Sequence, residues 1–289
     1  MKNVKKFAAL GLAAMMAASM MGCGGSSSST TTAAPETTAQ QTEASTAETT
    51  AKSEETTTAA EAQTEASAGG VLTMATNAEF DPWEYHEGDK IVGIDAEVAE
   101  EIAKKLGMEL KIEDMSFDAV IPSVATGKAD IGMAAISVNE ERKASVDFTN
   151  TYADSALVIL VQASNEEIAS SEDLAGKKVG VQLGTTGDVT ATDIVGEESM
   201  ERYPSYFEAV QSLKQGKIDA IVIDKAPAKV FLSQNEDIKQ VGEEMSSEQY
   251  AIAVAKGNTE LVEKLNKAIE ELQADGTFDA IINKYIPAE

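Results

Sequence analysis

Two charged side chains stand where an α/β chain presents ligand-binding groups. Arg142 lies in SVNEER, between a predicted buried strand and a predicted helix, and Asp224 ends the mainly apolar run IDAIVI. A guanidinium beside a helix start suits a carboxylate, and a carboxylate at a buried strand end suits an ammonium group. From spacing alone, Arg142 is equally well explained by a surface pair with Glu140 or Glu141. Asp224 is equally well explained as the cap of the following helix.

A glycine-containing turn offers a second kind of anion site. LGTTGD, residues 183–188, has glycines on both sides of two threonines and leads into a predicted helix. Backbone N–H groups at such a helix start bind anions. The turn lacks the GxxxxGK[ST] pattern of a phosphate-binding loop, so a nucleotide site is disfavoured.

Aromatic residues are scarce, yet four of them fall within one stretch of 38 residues. Phe80, Trp83, Tyr85 and Phe117 belong to a chain with only 14 Phe, Trp and Tyr residues in total. Aromatic rings near a cleft stack on a ligand or on its cationic end. The competing interpretation is that they anchor the core, and for Tyr85 the core is favoured.

The elements that position these side chains follow from apolar periodicity. Strand-like and helix-like runs alternate through residues 71–289, which is typical of α/β layers with a largely parallel sheet. Ligands of open α/β sheets bind beyond the carboxyl ends of the strands. Strands are predicted at 71–76, 109–115, 130–137, 156–162 and 250–256, and helices at 95–107, 117–128, 139–146, 207–217 and 259–285, the last interrupted near 275–276.

Two stretches resemble each other. AVIPSVATGKADIGM (119–133) and EAVQSLKQGKIDAIVI (208–223) both run helix, Gly-Lys, one residue, Asp, buried strand. The repeat indicates either two similar lobes or only a good connector between helix and strand. Two lobes facing each other would enclose a cleft lined by strand ends.

Composition argues against several classes of function. Cys23 and His86 are the only cysteine and histidine, so an internal disulfide, a zinc site or a histidine-dependent triad is disfavoured. Residues 71–289 carry 42 Asp plus Glu against 19 Lys plus Arg, a balance of −23. This sign argues against nucleic acid and against electrostatic docking on anionic lipid. We expect no metal and no cofactor.

The N-terminal region has the layout of an export signal. A basic start is followed by an uncharged run over 7–21, Gly22 and Cys23. This arrangement resembles a bacterial lipoprotein signal peptide, with Met20 standing where leucine is usual. The resemblance implies removal of residues 1–22 and lipid, including palmitate, on Cys23. The alternative is an ordinary secretion signal with an incidental cysteine.

The segment after the cysteine is predicted to be a tether. Residues 24–70 contain only Gly, Ser, Thr, Ala, Glu, Gln, Pro and Lys, with no aromatic or branched aliphatic residue. Such a segment buries too little apolar area to offset the entropy of ordering its backbone. We therefore expect residues 23–70 to be a disordered link between a lipid and a folded part.

Seven blocks of the folded part, in order, carry a family resemblance. They are ATNAEFDPWEY, GDKIVGIDAEVAEEIAKKLG, SFDAVIPSVATGKADIGMA, ISVNEERKASVDFTNTY, GVQLGTTGD, GKIDAIVID and QYAIAVAKGN. Together they resemble the amino-acid-binding family of extracellular solute-binding proteins, the receptors of ABC importers. The resemblance implies a two-lobed type II periplasmic-binding fold with a mixed, mostly parallel sheet in each lobe. The first lobe is expected at 71–154 and 250–289, the second at 160–246, and the hinge crossings at 155–159 and 247–249.

The same resemblance implies a role for each site residue. Arg142 matches the position that clamps the ligand carboxylate, with Ser137 assisting, and Asp224 matches the acid that takes the ammonium group. The remaining ligand-binding positions are Phe80 and Phe117 around the ligand side chain, Thr185 and Thr186 as N–H donors, Asn77 and Gln182 reading the side chain, and Ala135 in the wall where glycine is frequent.

Departures from the family pattern bear on the ligand. The glutamine-binding relative has Asp at the position of Asn77 and Lys at that of Gln182, so both charges are absent here. We expect a polar, uncharged amino acid as ligand, although Glu79 lies near enough to restore a negative site. The expected partners are importer permease and ATPase subunits, and the protein is expected to be a monomer on the outer face of the bacterial cell membrane.

Two other classes of function remain open from the sequence. An enzyme on the same fold, such as a dehydratase or a peptidoglycan lyase, needs a general acid or base, for which Asp224, Glu79 and Glu84 are the candidates. A sensory module would bind an amino acid and pass the signal to a separate protein. The expectation is a binding protein without enzymatic activity.

Overall fold

A computed structural model describes residues 69–286; the predicted signal peptide, Cys23 and nearly all of the predicted tether lie outside this range. The strands are β1 (Val71–Thr76), β2 (Glu79–Phe80), β3 (Glu84–Glu87), β4 (Lys90–Val92), β5 (Glu109–Asp114), β6 (Ile131–Gly132), β7 (Val146–Phe148), β8 (Ala153–Gln162), β9 (Val179–Gln182), β10 (Met200–Tyr203), β11 (Ala220–Asp224), β12 (Ile238–Tyr250) and β13 (Ala253–Ala255). The helices are α1 (Ile94–Leu106), α2 (Phe117–Ala125), α3 (Glu140–Ser145), α4 (Thr186–Val195), α5 (Tyr206–Lys214), α6 (Lys225–Gln234), α7 (Thr259–Ala274) and α8 (Thr277–Tyr285).

Each lobe is built on a five-stranded sheet. The strand order is β5-β1-β6-β13-β7 in the first lobe and β10-β9-β11-β8-β12 in the second. In both sheets the fourth strand runs antiparallel to its neighbours, and the other four strands share one direction. A third, three-stranded sheet has the order β2-β3-β4. The predicted α/β architecture, with two lobes and mixed, mostly parallel sheets, is confirmed.

Two long strands connect the lobes. Residues 153–157 of β8 pair with residues 246–250 of β12, and the register shifts between Val241 and Ser246. At its end β12 reaches the first lobe, where Tyr250 forms an isolated bridge with Ser137. The expected crossings at 155–159 and 247–249 fall within these two strands, and the exact lobe boundaries remain a prediction.

The repeated Gly-Lys-x-Asp connector does the same structural work in both lobes. Gly127 and Gly216 adopt positive φ angles of 72° and 67° after α2 and α5, a backbone conformation that glycine takes without strain. The following aspartates then bond to the neighbouring strand. Asp130 Oδ2 accepts the Thr73 N–H at 2.8 Å, and Asp219 Oδ2 accepts the Lys178 N–H at 2.8 Å.

We call these two aspartate–strand contacts the Asp130 and Asp219 clamps. Each is reciprocal, because the aspartate also donates its own N–H to the same partner residue. The distances are 2.9 Å from Asp130 N to Thr73 O and 2.8 Å from Asp219 N to Lys178 O. A helix is therefore joined to a buried strand at a fixed register in each lobe. This geometry favours the interpretation of the repeat as two similar lobes.

The helices form where the apolar pattern predicts them. On α1, Ile94, Val98 and Ile102 are fully buried, and the helix ends at Gly107 with φ 68°. The long C-terminal helical region is divided at Gly276, as the Asp-Gly pair predicts. The buried face of α1 packs on β5 and on the helices α7 and α8.

Several strands differ from the sequence expectations. The strand expected over 250–256 is divided between the end of β12 and β13. The strand expected over 130–137 is only two residues long, because Ala135 adopts a positive φ of 46° and turns the chain. The strand β12 was not predicted, since its sequence IKQVGEEMSSEQY lacks apolar alternation. It is stabilised instead by pairing with the apolar strand β8.

We expect Asp219→Ala to lower the free energy of unfolding by about 1 kcal/mol, because the Lys178 N–H loses a hydrogen bond to a charged acceptor. Urea denaturation followed by circular dichroism measures the change. Lys217→Ala, an exposed substitution in the same turn, is the control and should have little effect. Equal stability of both variants would show that the clamp contributes nothing.

Candidate functional site

A small pocket lies where strand ends of both lobes meet. Its position agrees with the rule for open α/β sheets. The lining residues are Phe80, Phe117, Ala135, Ser137, Arg142, Gln182, Thr185, Thr186 and Asp224. The remaining residue of the predicted set, Asn77, follows β1 and is hydrogen-bonded to Gln182.

Arg142 is buried in this pocket with a side chain 8% exposed. Its Nη1 donates to Ser137 O at 2.6 Å, and its Nη2 donates to Gly184 O of the second lobe at 3.0 Å. The guanidinium lies 5.3 Å from the ring centre of Phe117, within cation–π range. Burial lowers the pKa of Arg142 from its usual value, opposed chiefly by the charge of Glu248.

The surface-pair interpretation of Arg142 does not describe this geometry. Glu140 pairs instead with Lys143 at 2.9 Å. The cap of α3 is the side chain of Asn139, which accepts the Arg142 N–H at 2.8 Å. Capping α3 at Asn139 leaves the guanidinium directed at the pocket and the lobe opposite.

Asp224 faces the pocket from the second lobe and is 5% exposed. Although it occupies the N-cap position of α6, its side chain makes no cap hydrogen bond. Its Oδ1 accepts the hydroxyl proton of Tyr250 instead. Burial raises the pKa of Asp224 to about 7, and the Tyr250 hydrogen bond acts in the opposite direction. A buried carboxylate of this kind lacks a full counter-charge, which a ligand ammonium group would supply.

The two aromatic pocket residues sit on different elements. Phe80 belongs to β2 and packs on Tyr206 with ring centres 5.8 Å apart, and Phe117 begins α2. The other two aromatics of the cluster lie elsewhere. Trp83 is 3% exposed and packs edge-on against Tyr250, and Tyr85 packs against Tyr285.

Asn77 and Gln182 join the lobes at another point of the site. Gln182 Nε2 donates to Asn77 Oδ1 at 2.8 Å and to Pro204 O at 2.9 Å. The Asn77 amide in turn donates to Met115 O at 2.9 Å. With its amide nitrogen engaged twice, Gln182 has its side-chain carbonyl oxygen left as an acceptor.

The turn between β9 and α4 is fixed by its own side chains. Thr185 Oγ1 donates to Gln182 O at 2.9 Å and accepts the Asp188 N–H at 3.1 Å, so this hydroxyl caps the helix. Asp188 accepts the Gly184 N–H at 3.1 Å and pairs with Arg202. The backbone N–H groups at the start of α4 are therefore presented by a rigid turn next to Thr186, which lines the pocket.

Two tyrosines that support the site were not among the residues predicted from the sequence. Tyr250 holds the Asp224 carboxylate, and Tyr206 lies behind both Phe80 and the Thr185 hydroxyl. Both are no more than 1% exposed. Apolar periodicity marks such residues only as core, so no sequence signal distinguished them from packing residues.

Other chemistry proposed from the sequence is located away from the pocket. Glu84 is 1% exposed and lies against Asp95, and Glu79 is exposed. His86 is half-exposed and bonds to Asp114 at 2.9 Å. Within residues 69–286, no cluster of three or more His, Cys, Asp or Glu side chains is arranged to hold a metal ion. In the same range no helix combines the length and apolarity needed to cross a bilayer.

Comparison with known proteins places the chain in a family. The model of the bacterial extracellular solute-binding proteins, family 3, matches residues 72–288. A probable histidine-binding protein of Campylobacter jejuni is 36% identical over 226 residues, covering 78% of this chain and 88% of the relative. An arginine-binding extracellular protein of Bacillus subtilis is 32% identical over 222 residues, covering 75% of this chain and 87% of the relative.

A solved structure agrees with these sequence relatives. An ancestral arginine-binding protein bound to glutamine superimposes with a TM-score of 0.72 at 42% identity, covering 75% of this chain and 98% of the other. Fold, strand-end pocket and sequence all lead to one conclusion. The chain belongs to the bacterial extracellular solute-binding proteins of family 3.

Proposed function

We propose that this protein is the extracytoplasmic receptor of an ABC importer and binds a free amino acid between its two lobes. One observation carries the proposal: Arg142 and Asp224 have opposite charges, come from opposite lobes and line the same buried pocket. A free amino acid has a carboxylate and an ammonium group one carbon apart. It therefore satisfies both side chains at once, which a simple acid or amine does not.

Each pocket residue has a role in this proposal. Arg142 binds the ligand carboxylate, assisted by Ser137 and by backbone N–H groups at Thr185 and Thr186, and Asp224 binds the ammonium group. The ligand side chain extends between Phe80 and Phe117 along the wall formed by Ala135, towards Asn77 and Gln182. Charge-assisted hydrogen bonds in a buried site are the strongest polar contacts that a protein offers.

Ligand binding is coupled to closure of the lobes. The bonds from Arg142 to Gly184 and from Gln182 to Asn77 both cross the cleft. A ligand that contacts both lobes binds the closed form better than an open form, and this difference shifts the population towards closure. The importer would recognise the closed shape and supply the energy of transport through its ATPase subunits.

The pocket favours an amino acid whose side chain ends in a planar group with N–H donors. Phe80 and Phe117 provide faces for stacking, and the Gln182 carbonyl oxygen accepts an N–H. Amide, imidazole and guanidinium groups meet both requirements. The narrower expectation of an uncharged ligand lacks support from the relatives, whose names include histidine and arginine.

The alternatives have less support. Among the acids considered for an enzyme, Glu84 is buried and Glu79 is exposed, and neither lines the pocket. Asp224 does line the pocket, but its carboxylate accepts the Tyr250 hydroxyl proton. The relatives are solute-binding proteins, which favours a non-enzymatic receptor over both the enzyme and the sensory module. We further propose that the receptor is a monomer, anchored to the outer face of the cell membrane by lipid on Cys23.

A thermal-shift panel tests the proposed function directly. The twenty amino acids, cystine, ornithine, citrulline and simple carboxylic acids are added singly to the purified protein. A ligand at a thousand times its dissociation constant stabilises by about 4 kcal/mol, which raises the Tm by about 8–16 °C. We expect arginine, histidine or glutamine to give the largest shift. No shift with any amino acid on a folded protein would refute the proposal.

Arg142→Met should weaken amino-acid binding at least about 30-fold, because loss of a buried charge partner costs about 2 kcal/mol or more. Isothermal titration calorimetry with the best ligand of the panel measures the change. Lys143→Met, an exposed neighbour on the same short helix, is the matched control and should bind normally. Wild-type affinity of the Arg142 variant would mean that the ligand carboxylate is bound elsewhere.

Asp224→Asn should stabilise the ligand-free protein while weakening amino-acid binding. A carboxyl group with a pKa raised to about 7 destabilises the fold above that pH, and the penalty disappears below its unfolded pKa near 4. We expect the free energy of unfolding of the variant to exceed that of the wild type by on the order of 2 kcal/mol at pH 8. At pH 4 we expect little difference, because burial penalises only the charged carboxylate. Urea denaturation of the wild type and the variant at pH 8 and at pH 4 measures the two differences in stability. An equal effect at both pH values would contradict a buried, weakly paired carboxylate.

Cys23→Ser tests the proposed anchor. Lipid on Cys23 should carry the wild-type protein into the membrane fraction and the detergent phase of Triton X-114, while the variant should remain in the aqueous phase. Mass spectrometry of the N-terminal peptide identifies the acyl groups. Identical partitioning of both proteins would favour an ordinary secretion signal.

A further inference from the structure

One pocket residue has an unusual backbone conformation. Ala135 has a φ of 46°, and it is the only non-glycine residue with a positive φ in the described range 69–286. An L-residue is strained in this region because its Cβ approaches the following carbonyl oxygen. Such strain persists only where surrounding contacts impose it, and it is concentrated at functional sites.

The contact that imposes this conformation comes from Asp95. The Ala135 N–H donates to Asp95 Oδ2 at 2.8 Å, and the Tyr152 hydroxyl donates to both carboxylate oxygens at 2.9 Å. Asp95 is fully buried, so these bonds form away from competing water. A hydrogen bond to a charged acceptor is about twice as strong as a neutral one.

Asp95 itself is held in a fixed place. It lies in the first turn of α1, and its backbone N–H donates to Trp83 O at 2.9 Å. The helix begins after Gly93, whose φ is 121° and where a Cβ would stand 2.3 Å from Trp83 O. Only glycine permits this close approach, which fixes where the carboxylate is presented.

The chain after Ala135 leads directly to the carboxylate-binding groups. Ser137 follows two residues later, and its carbonyl oxygen accepts the Arg142 Nη1 at 2.6 Å. Strand contacts fasten both ends of the turn, with Met133 N donating to Ala75 O and Ala251 N donating to Ile136 O. Between these two fixed points, the backbone conformation at Ala135 determines the direction in which the chain continues to Ser137.

The geometry points to Asp95 as a positioning residue for the ligand site: by holding Ala135 in its left-handed conformation, it sets the orientation of Ser137 and Arg142 towards the ligand. Asp95 does not line the pocket and has no ligand contact. The inference rests on the proposed function, since it concerns affinity for the ligand that Arg142 binds.

The first test is the affinity of Asp95→Asn for three probes, L-arginine, L-histidine and L-glutamine, by calorimetry. Asparagine keeps the size but loses the charge, so Ala135 is held less firmly and binding should weaken at least tenfold. The decisive variant is Asp95→Asn with Ala135→Gly. Glycine adopts a positive φ without help, so the double variant should recover affinity to within threefold of wild type.

Two controls separate positioning from general stability. Tyr152→Phe removes the hydroxyl donor to Asp95 and should lower the Tm while leaving affinity within threefold of wild type. Ala135→Gly alone is the reference for the double variant, because it makes the same change in the pocket wall while keeping Asp95. If Asp95 only stabilised the fold, Asp95→Asn would lower the Tm. Glycine at position 135 would then not recover the affinity, because it restores only the backbone conformation at that one position.

Each outcome decides whether Asp95 positions the ligand site or only stabilises the fold. Binding by wild type and rescue by glycine support the inference. Wild-type affinity in Asp95→Asn, or a folded double variant that stays tenfold weak, overturns it. A double variant that fails to fold shows that Asp95 supports the fold rather than the pocket, and also overturns it. Failure of wild type to bind the three probes and every other amino acid of the thermal-shift panel tells against the proposed function itself.

Discussion

The structure depends on the cost of keeping two opposite charges out of water without joining them to each other. Arg142 and Asp224 are both more than nine-tenths buried and approach the same pocket from different lobes. Burial of ions is unfavourable unless polar partners surround them. The carbonyl groups of Ser137 and Gly184 serve the guanidinium, and the Tyr250 hydroxyl serves the carboxylate. These partners only partly replace water, and the rest of the compensation is left to a ligand.

The remaining architecture can be understood as the means of holding this arrangement. Parallel strands bring polar residues to one edge of each sheet, and the Asp130 and Asp219 clamps set the register of the strands concerned. The two crossing strands, β8 and β12, then bring the edges face to face. Because Tyr250 ends β12 and bonds to Asp224, the second crossing strand and the site share a residue.

Sequence reasoning reached the fold and most of the pocket for identifiable reasons. Short strands such as VLTMAT and helices such as IDAEVAEEIAKKL have clear periods, and the strand ends locate Asn77 and Asp224. Gln182 was identified only by the family resemblance. The choice between the competing interpretations of Arg142 and Asp224 required the three-dimensional structure, because burial and cap geometry depend on neighbours distant in the chain. The same limit hid Tyr250, Tyr206 and the strand β12, whose placement follows from tertiary contacts rather than from local pattern.

The position of Trp83 has a consequence for spectroscopy. It is the only tryptophan of the chain, it is almost fully buried, and its ring centre lies 5.0 Å from that of Tyr250. The Tyr250 hydroxyl bonds to Asp224, so one aromatic contact and one hydrogen bond separate the indole from the pocket. Charge rearrangement at the pocket therefore alters the electric field at a single chromophore. Because the chain has no second indole, all of its tryptophan fluorescence originates at this one buried position.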